Sequence, residues 1–200
     1  MDPIRKDILQ ETGNIGAAHA ATALGQLLER SVMISVPDVR EVSHEEVATL
    51  AGDPDVLVAG VAFHVVGDAS ARILFWLTRK AALELVDLLL RNPPGTTKVL
   101  SELGNSTIKE TGNILASAYL NGLCEFCGLL LLPSVPALTF DLSHAVLELA
   151  AEGIERNSQG KLLSIGIDIA VEGTGIQGKL FLFVDESSEP VLVENASGVL

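Results

Sequence analysis

Two stretches of the chain place a carboxylate and a neutral amide at helical spacing. Asp7, Glu11 and Asn14 stand at i, i+4 and i+7. At 100° per residue they fall within about 60° on one helix face. Ser106, Glu110 and Asn113 repeat that spacing. A core stripe ordinarily shows this period, but here it carries a short polar residue, an acid and an amide. An amide does not titrate near neutral pH, so neither asparagine is a general base. It donates and accepts hydrogen bonds and can hold a water in a fixed direction. The chemistry that fits is the positioning of a water nucleophile. A single stripe of this kind reads as a solvated helix face. Its duplication, with Gly13 and Gly112 beside the asparagines, turns the reading toward function.

The elements that carry the stripes follow from an internal repeat. Glu11-Thr12-Gly13-Asn14-Ile15 recurs unchanged as Glu110-Thr111-Gly112-Asn113-Ile114, at an offset of 99 in a chain of 200 residues. Ser43-His44 recurs as Ser143-His144. The chain therefore reads as one domain built from two units, about 1–95 and 96–200, related by pseudo-twofold symmetry. Ile4 to Leu28 has helical composition without proline, with Leu9, Gly13, Gly16, Ala20, Leu24 and Leu27 along one face. Gly13, Gly16, Ala17 and Ala20 make that face thin, and the expectation is close approach by the partner helix. Glycine inside a helix costs about 1 kcal/mol.

Ser31 to Pro37 reads as a strand, and Ser43 with Glu46 has capping-box spacing for a short helix to about Gly52. Asp55 to Val66 and Ser70 to Thr78 read as a hairpin around Gly67-Asp68. Thr78 caps a predicted helix to Arg91, and Asn92-Pro93-Pro94-Gly95 is a linker. The second unit predicts a helix over Leu100 to Leu123, extended segments at 129–133 and 137–142, and a helix from His144 to Ile154. A hairpin spanning 161–184 and a short helix from Pro190 to Ala196 complete it. The expected fold class is α+β: two halves sharing one largely antiparallel sheet with helices packed on it.

Composition narrows the function classes. Lys and Arg number 13 against 26 acids, a net charge of −13. A chain this acidic has no electrostatic case for nucleic acid or anionic membrane. Hydrophobic residues make up 48%, which excludes general disorder, yet no apolar run approaches the ~20 residues of a membrane helix. Two cysteines and the absence of an apolar leader predict a cytoplasmic location.

After each asparagine come 22 residues and then a proline, Pro37 and Pro136. With these residues the chain resembles the CheC/CheX/FliY family of chemotaxis phosphatases. Their signature is Asp or Ser, three residues, Glu, two residues, Asn, 22 residues, Pro, and both copies match it throughout. Two motifs in one chain of this length resemble the CheC-type members most. The resemblance implies a substrate, the phosphorylated response regulator CheY. Its receiver domain holds an aspartyl phosphate beside its own Mg²⁺ and lysine, so no cofactor is expected in this chain. It implies that Asn14 and Asn113 orient the attacking water and that Glu11 and Glu110 pair with the receiver lysine. Asp7 and Ser106 then space the helix or touch the partner, and Pro37 and Pro136 end or kink a strand beside the motif helix. The same family offers an alternative, an adaptor that binds the deamidase CheD with weak or no phosphatase activity. A flagellar-switch scaffold is a third reading.

The remaining motifs read as structure. Cys124-Glu125-Phe126-Cys127 lacks the further ligands a zinc site needs. His19, His44, His64 and His144 show no ligand spacing, so no metal is expected. Gly173 to Gly178 fits GxGxxG as letters but lies in a hairpin. Trp76, Phe63, Phe75, Phe181 and Phe183 read as core. The two stripes should be exposed and well separated, with no deep pocket.

Overall fold

The computed structural model describes residues 1–199. Helix α1 (Pro3–Leu28) is capped by the Asp2 carboxylate, which accepts from the Arg5 N–H at 3.2 Å, with Pro3 pre-set for the first turn. Two short strands follow, β1 (Val32–Ile34) and β2 (Asp38–Val42), then α2 (His44–Val47). The hairpin β3 (Leu57–Gly67) and β4 (Ala71–Thr78) leads into α3 (Arg79–Leu89). The order then recurs: α4 (Glu102–Cys127), β5 (Leu131–Pro133), β6 (Ala137–Leu142), α5 (Ser143–Ala151), β7 (Leu162–Val171), β8 (Gln177–Val184) and α6 (Glu189–Ser197).

All eight strands join one antiparallel sheet, ordered β1-β7-β8-β4-β3-β5, with β2 also on β7 and β6 also on β3. The halves are interlocked. Strands β1 and β2 of the first half extend the hairpin of the second, and β5 and β6 of the second extend the hairpin of the first. The central pair β4 and β8 runs in register from Ala71–Val184 to Leu77–Gly178.

Strand period sorts side chains into two cores. Val61, Phe63, Val65, Ile73, Phe75 and Leu77 face one way and pack with Leu9, Leu24, Ile108, Leu115 and Tyr119 of α1 and α4. Leu74, Trp76, Phe181 and Phe183 face the other way, under Val47 of α2 and Val146, Leu147 and Ala150 of α5. The middle strands are therefore covered on both faces. Trp76 donates its indole N–H to the Ser143 hydroxyl at 3.1 Å, which satisfies both groups in the core.

Several boundaries differ from the sequence expectation. The stretch 31–42 is two strands instead of one. Strand β2, Asp-Val-Arg-Glu-Val, buries Val39 in the helix-side core and Val42 in the opposite one, with Asp38 and Arg40 exposed, so no simple alternation shows in its residues. Helix α2 stops at Val47, well short of Gly52, although its capping box forms as expected between Ser43 and Glu46. Helix α4 runs past Leu123 to Cys127, where Gly128 at φ 67 ends it. Ser43 is an N-cap, whereas Ser143 is the first residue of its helix and serves Trp76. The shared dipeptide marks the repeat without sharing a role.

Candidate functional site

Each stripe lies in the N-terminal half of a 26-residue helix. On α1, Leu9, Thr12, Gly13, Gly16, Ala17 and Ala20 are buried, whereas Asp7 and Glu11 are exposed and Asn14 is half-buried. On α4, Ile108, Thr111, Gly112, Leu115 and Ala116 are buried, Ser106 and Glu110 are exposed, and Asn113 is half-buried. The pattern is the same twice: an acid in solvent, an amide at the boundary and a glycine sealed beneath it.

The glycines set the height of each helix above the sheet. A Cβ on Gly13 would stand 2.9 Å from Ile165 Cγ2 and 3.1 Å from Pro37 Cβ. A Cβ on Gly112 would stand 2.9 Å from Val61 Cβ. Ile165 belongs to β7 and Val61 to β3, so each motif helix rests on a strand of the opposite half. This corrects the expectation for Gly13, which meets the sheet and not the partner helix. Gly16 does meet that helix: its Cβ would fall 2.5 Å from Leu123 Cδ1 and 2.8 Å from Tyr119 Cε2.

Helical geometry then separates the stripes. At 100° per residue, Gly16 stands about 170° around α1 from the centre of Asp7, Glu11 and Asn14. On α4 the residues facing α1, Tyr119 and Leu123, stand about 150° and 110° from the centre of Ser106, Glu110 and Asn113. The two stripes turn outward on opposite flanks of the helix pair. Neither lies in the concavity lined by Ser35, Val36, Asp38, Arg40, Ser164 and Lys179.

In the first half the Asn14 Nδ2 donates to the Glu11 carboxylate at 3.4 Å, which leaves its Oδ1 as a free acceptor. Ser106 instead turns its hydroxyl back onto the Glu102 carbonyl at 2.9 Å, within its own helix. Arg5, six residues ahead of Glu11 and off the stripe, is tied to Glu189 of α6. Burial pushes the Glu189 carboxyl up, against the opposing pull of Arg5. Among the described residues no cluster of three or more His, Cys, Asp or Glu side chains could hold a metal ion.

Pro37 and Pro136 each follow a short strand at the point where the chain breaks its ladder. Pro37 is buried and Pro136 half-buried. Three supporting residues escaped the sequence reading. Gln10 donates its side-chain amide to the Pro37 carbonyl at 2.9 Å, pinning this corner to the motif helix. Ser35 accepts from the Asp168 N–H at 2.9 Å and Ser134 from the His64 N–H at 3.0 Å. Each serine stitches the break to the opposite hairpin. The available signal was Ser35-Val36-Pro37 recurring unchanged as Ser134-Val135-Pro136 at the same offset of 99.

The other motifs stay structural. Cys124 and Cys127 are free thiols in the last turn of α4. Cys124 Sγ accepts from the Leu131 N–H at 3.2 Å, and burial pushes the Cys127 thiol up to about 11. Gly173 at φ 71 makes the turn between β7 and β8, where the Gly175 N–H meets Glu84. No helix among the described residues is long and apolar enough to cross a membrane.

Comparison with known proteins gives this geometry a context. The CheC-like family profile matches residues 4–41, the span from the start of α1 through the Pro37 corner into β2. The chain is 35% identical over 167 residues to the CheY-P phosphatase CheC of Bacillus subtilis (strain 168), covering 82% of this chain and 78% of that protein. Its fold is similar to the crystal structure of Thermotoga maritima FliY, with a TM-score of 0.77, 20% identity, and 100% and 99% of the two chains covered. It is also similar in fold to a chain of the CheX-CheY-BeF₃-Mg²⁺ complex from Borrelia burgdorferi. There the TM-score is 0.58 at 15% identity, covering 86% of this chain and 97% of the other.

Proposed function

The chain belongs to the CheC family, and from that premise we propose that it hydrolyses the aspartyl phosphate of a CheY-type receiver at two sites. The observation that carries the proposal is the repeated geometry of Glu11 with Asn14 and of Glu110 with Asn113. Each pair is solvent-facing, on a rigid helix, above a glycine that leaves no slack beneath it.

In this reaction a water oxygen attacks phosphorus and the bond from phosphorus to the aspartate oxygen breaks. Inorganic phosphate leaves, the receiver aspartate returns as a free carboxylate, and the water proton ends on phosphate. The receiver already carries the charge-stabilising groups, its own Mg²⁺ and lysine. What it lacks is an aligned nucleophile, and positioning is a large part of catalysis in phosphoryl transfer. Asn14 and Asn113 supply it: the amide oxygen accepts from the water and aims a lone pair at phosphorus. Glu11 and Glu110 are exposed enough to reach a lysine on a docked receiver, and that pairing sets the distance between amide and phosphorus. Asp7 and Ser106, one turn earlier on the same face, border the contact.

The relative's activity as a CheY-P phosphatase supports this reading, as does the similarity in fold to a CheX crystallised with CheY. The test is the decay of aspartyl phosphate in a cognate receiver. Added protein should accelerate decay, and each asparagine should matter by ~10²–10³ at its own site, the usual cost of one preorganised polar group. An adaptor whose role is to hold CheD would bind without accelerating decay.

A further inference from the structure

On the sheet face away from the motif helices, the two halves are covered differently. Over β6, β3 and β4, helix α5 sits directly on Gly60, where an added Cβ would collide with Val146 Cγ1. The ladders fix the counterpart of that glycine. Gly60 pairs with Thr139 and Ser164 pairs with Arg40, and Thr139 and Arg40 stand at the repeat offset. Ser164 therefore occupies the place of Gly60, but nothing like Val146 fills the space above it. Helix α2 ends after four residues where α5 runs for nine. A concavity of about 210 Å³ is left over β2, β7 and β8, with Leu50 at one wall.

The lining of this concavity is not shared by the other half. Asp38 stands where the repeat has Ala137, Arg40 where it has Thr139, Ser164 where it has Gly60, and Asp168 where it has His64. Only the cation at the rim is common, Lys179 against Arg72. At the floor, Gly166 lets the Phe181 ring lie across the strand, 3.1 Å from where a Cβ would stand. Ser164 is 2% exposed, and its hydroxyl lines the concavity without a partner among the described residues. A buried hydroxyl left unpaired is unfavourable, and a polar group placed over it removes that cost.

The charges are balanced. Arg40 pairs with Asp38 and Lys179 with Asp168. Each contact uses one oxygen of its carboxylate, and the Arg40 contact uses one guanidinium nitrogen. The second oxygens and the other guanidinium N–H groups remain for a ligand. A carboxylate alone would meet Asp38 and Asp168, and an ammonium alone would meet Arg40 and Lys179. A molecule carrying both charges finds an opposite charge for each. The volume lies below the ~300–1,000 Å³ of sites for drug-sized ligands, which restricts the occupant to a small one. We propose that this concavity is a binding site for a small zwitterion of the α-amino acid class, held by Arg40 and Lys179 at its carboxylate, by Asp38 and Asp168 at its ammonium, and by Ser164. The site is remote from both stripes and does not depend on the phosphatase reading.

The test uses the full chain. Calorimetry and ¹H–¹⁵N spectra are recorded with each standard L-amino acid at about 10 mM. They are repeated with two analogues of the tightest binder, one lacking the ammonium and one lacking the carboxylate. At least one amino acid should bind saturably and shift the amide signals of Ser164, Gly166 and Asp168. Each analogue should bind at least about tenfold more weakly. Arg40→Gln, at an exposed position, should weaken binding by about tenfold or more. Ser164→Val, which fills the floor, should abolish it with circular dichroism unchanged; if that variant unfolds, Arg40→Gln decides alone. An analogue that binds as well as its parent, or binding that survives Arg40→Gln undiminished, overturns the proposal. A set in which no amino acid binds overturns it too and leaves the concavity to water.

Discussion

Gly13 rests on Ile165 across the boundary between the halves, so close that an added Cβ would stand 2.9 Å from the isoleucine Cγ2. The contact fixes the Asn14 helix against a strand of the opposite half, and Gly112 over Val61 does the same for Asn113. Gly13→Ala gains about 1 kcal/mol of helix propensity, but the forced overlap costs about 1–3 kcal/mol. The variant should be net destabilised in urea titration and lose hydrolysis at the first site. Pairing it with Ile165→Ala should recover helix position and part of the activity. A fully active, stabilised Gly13→Ala protein would show that the contact does not set the site.

The linker between the halves predicts a pH effect. Asp87 accepts from the Thr97 N–H at 3.0 Å and from its hydroxyl at 2.5 Å. These bonds, led by the hydroxyl, hold the carboxyl below the usual range. A carboxyl lowered in the folded state adds stability above its unfolded value, about 3.9, and loses it as pH falls through the folded value. The melting-temperature advantage of the parent over Asp87→Asn should be level above about pH 5 and shrink below about pH 4. An advantage that grows toward acid would reverse the sign.

The two sites should differ in salt sensitivity. The first carries Asp7 and Glu11, whereas the second carries Ser106, Glu110 and the adjacent Lys109. Attraction to a receiver lysine should be stronger and more readily screened at the first. At 0.15 M salt the screening length is about 8 Å. Measured through Asn113→Ala, which leaves the first site, kcat/KM should fall more steeply with salt than through Asn14→Ala. Equal slopes would remove any electrostatic difference.

Strand exchange predicts that the chain survives a cut. A protease site placed at Pro94-Gly95, in the exposed linker, should yield fragments that co-elute after cleavage. Strands β1 and β2 stay on β7, and β5 and β6 stay on β3. Separation on gel filtration without denaturant would contradict the interlocked pairing.

Much of this was legible in the residues, and what was not has a physical reason. The stripe spacing, the repeat and the hairpins of Val61, Phe63 and Val65 with Ile73, Phe75 and Leu77 follow from period alone. Strand β2 was hidden because an edge strand carries charge on its open face, as Asp38 and Arg40 do. The exchange of strands between halves was not legible, because period fixes which face is buried and says nothing of which neighbour covers it. Gly13 shows the same limit: its thinness announced a close contact, and only the fold identified Ile165. The role of Gln10 emerges only where the fold sets the Pro37 carbonyl beside it.

The central claim is that two outward amides align water on a phosphorus held by another protein. Its most direct test is aspartyl-phosphate decay in a cognate receiver, comparing the parent, Asn14→Ala, Asn113→Ala and the double variant. Parent acceleration should fall in part with each single change and by ~10²–10³ with both, while beryllofluoride-receiver binding persists. A double variant that matches the parent in rate would contradict the account.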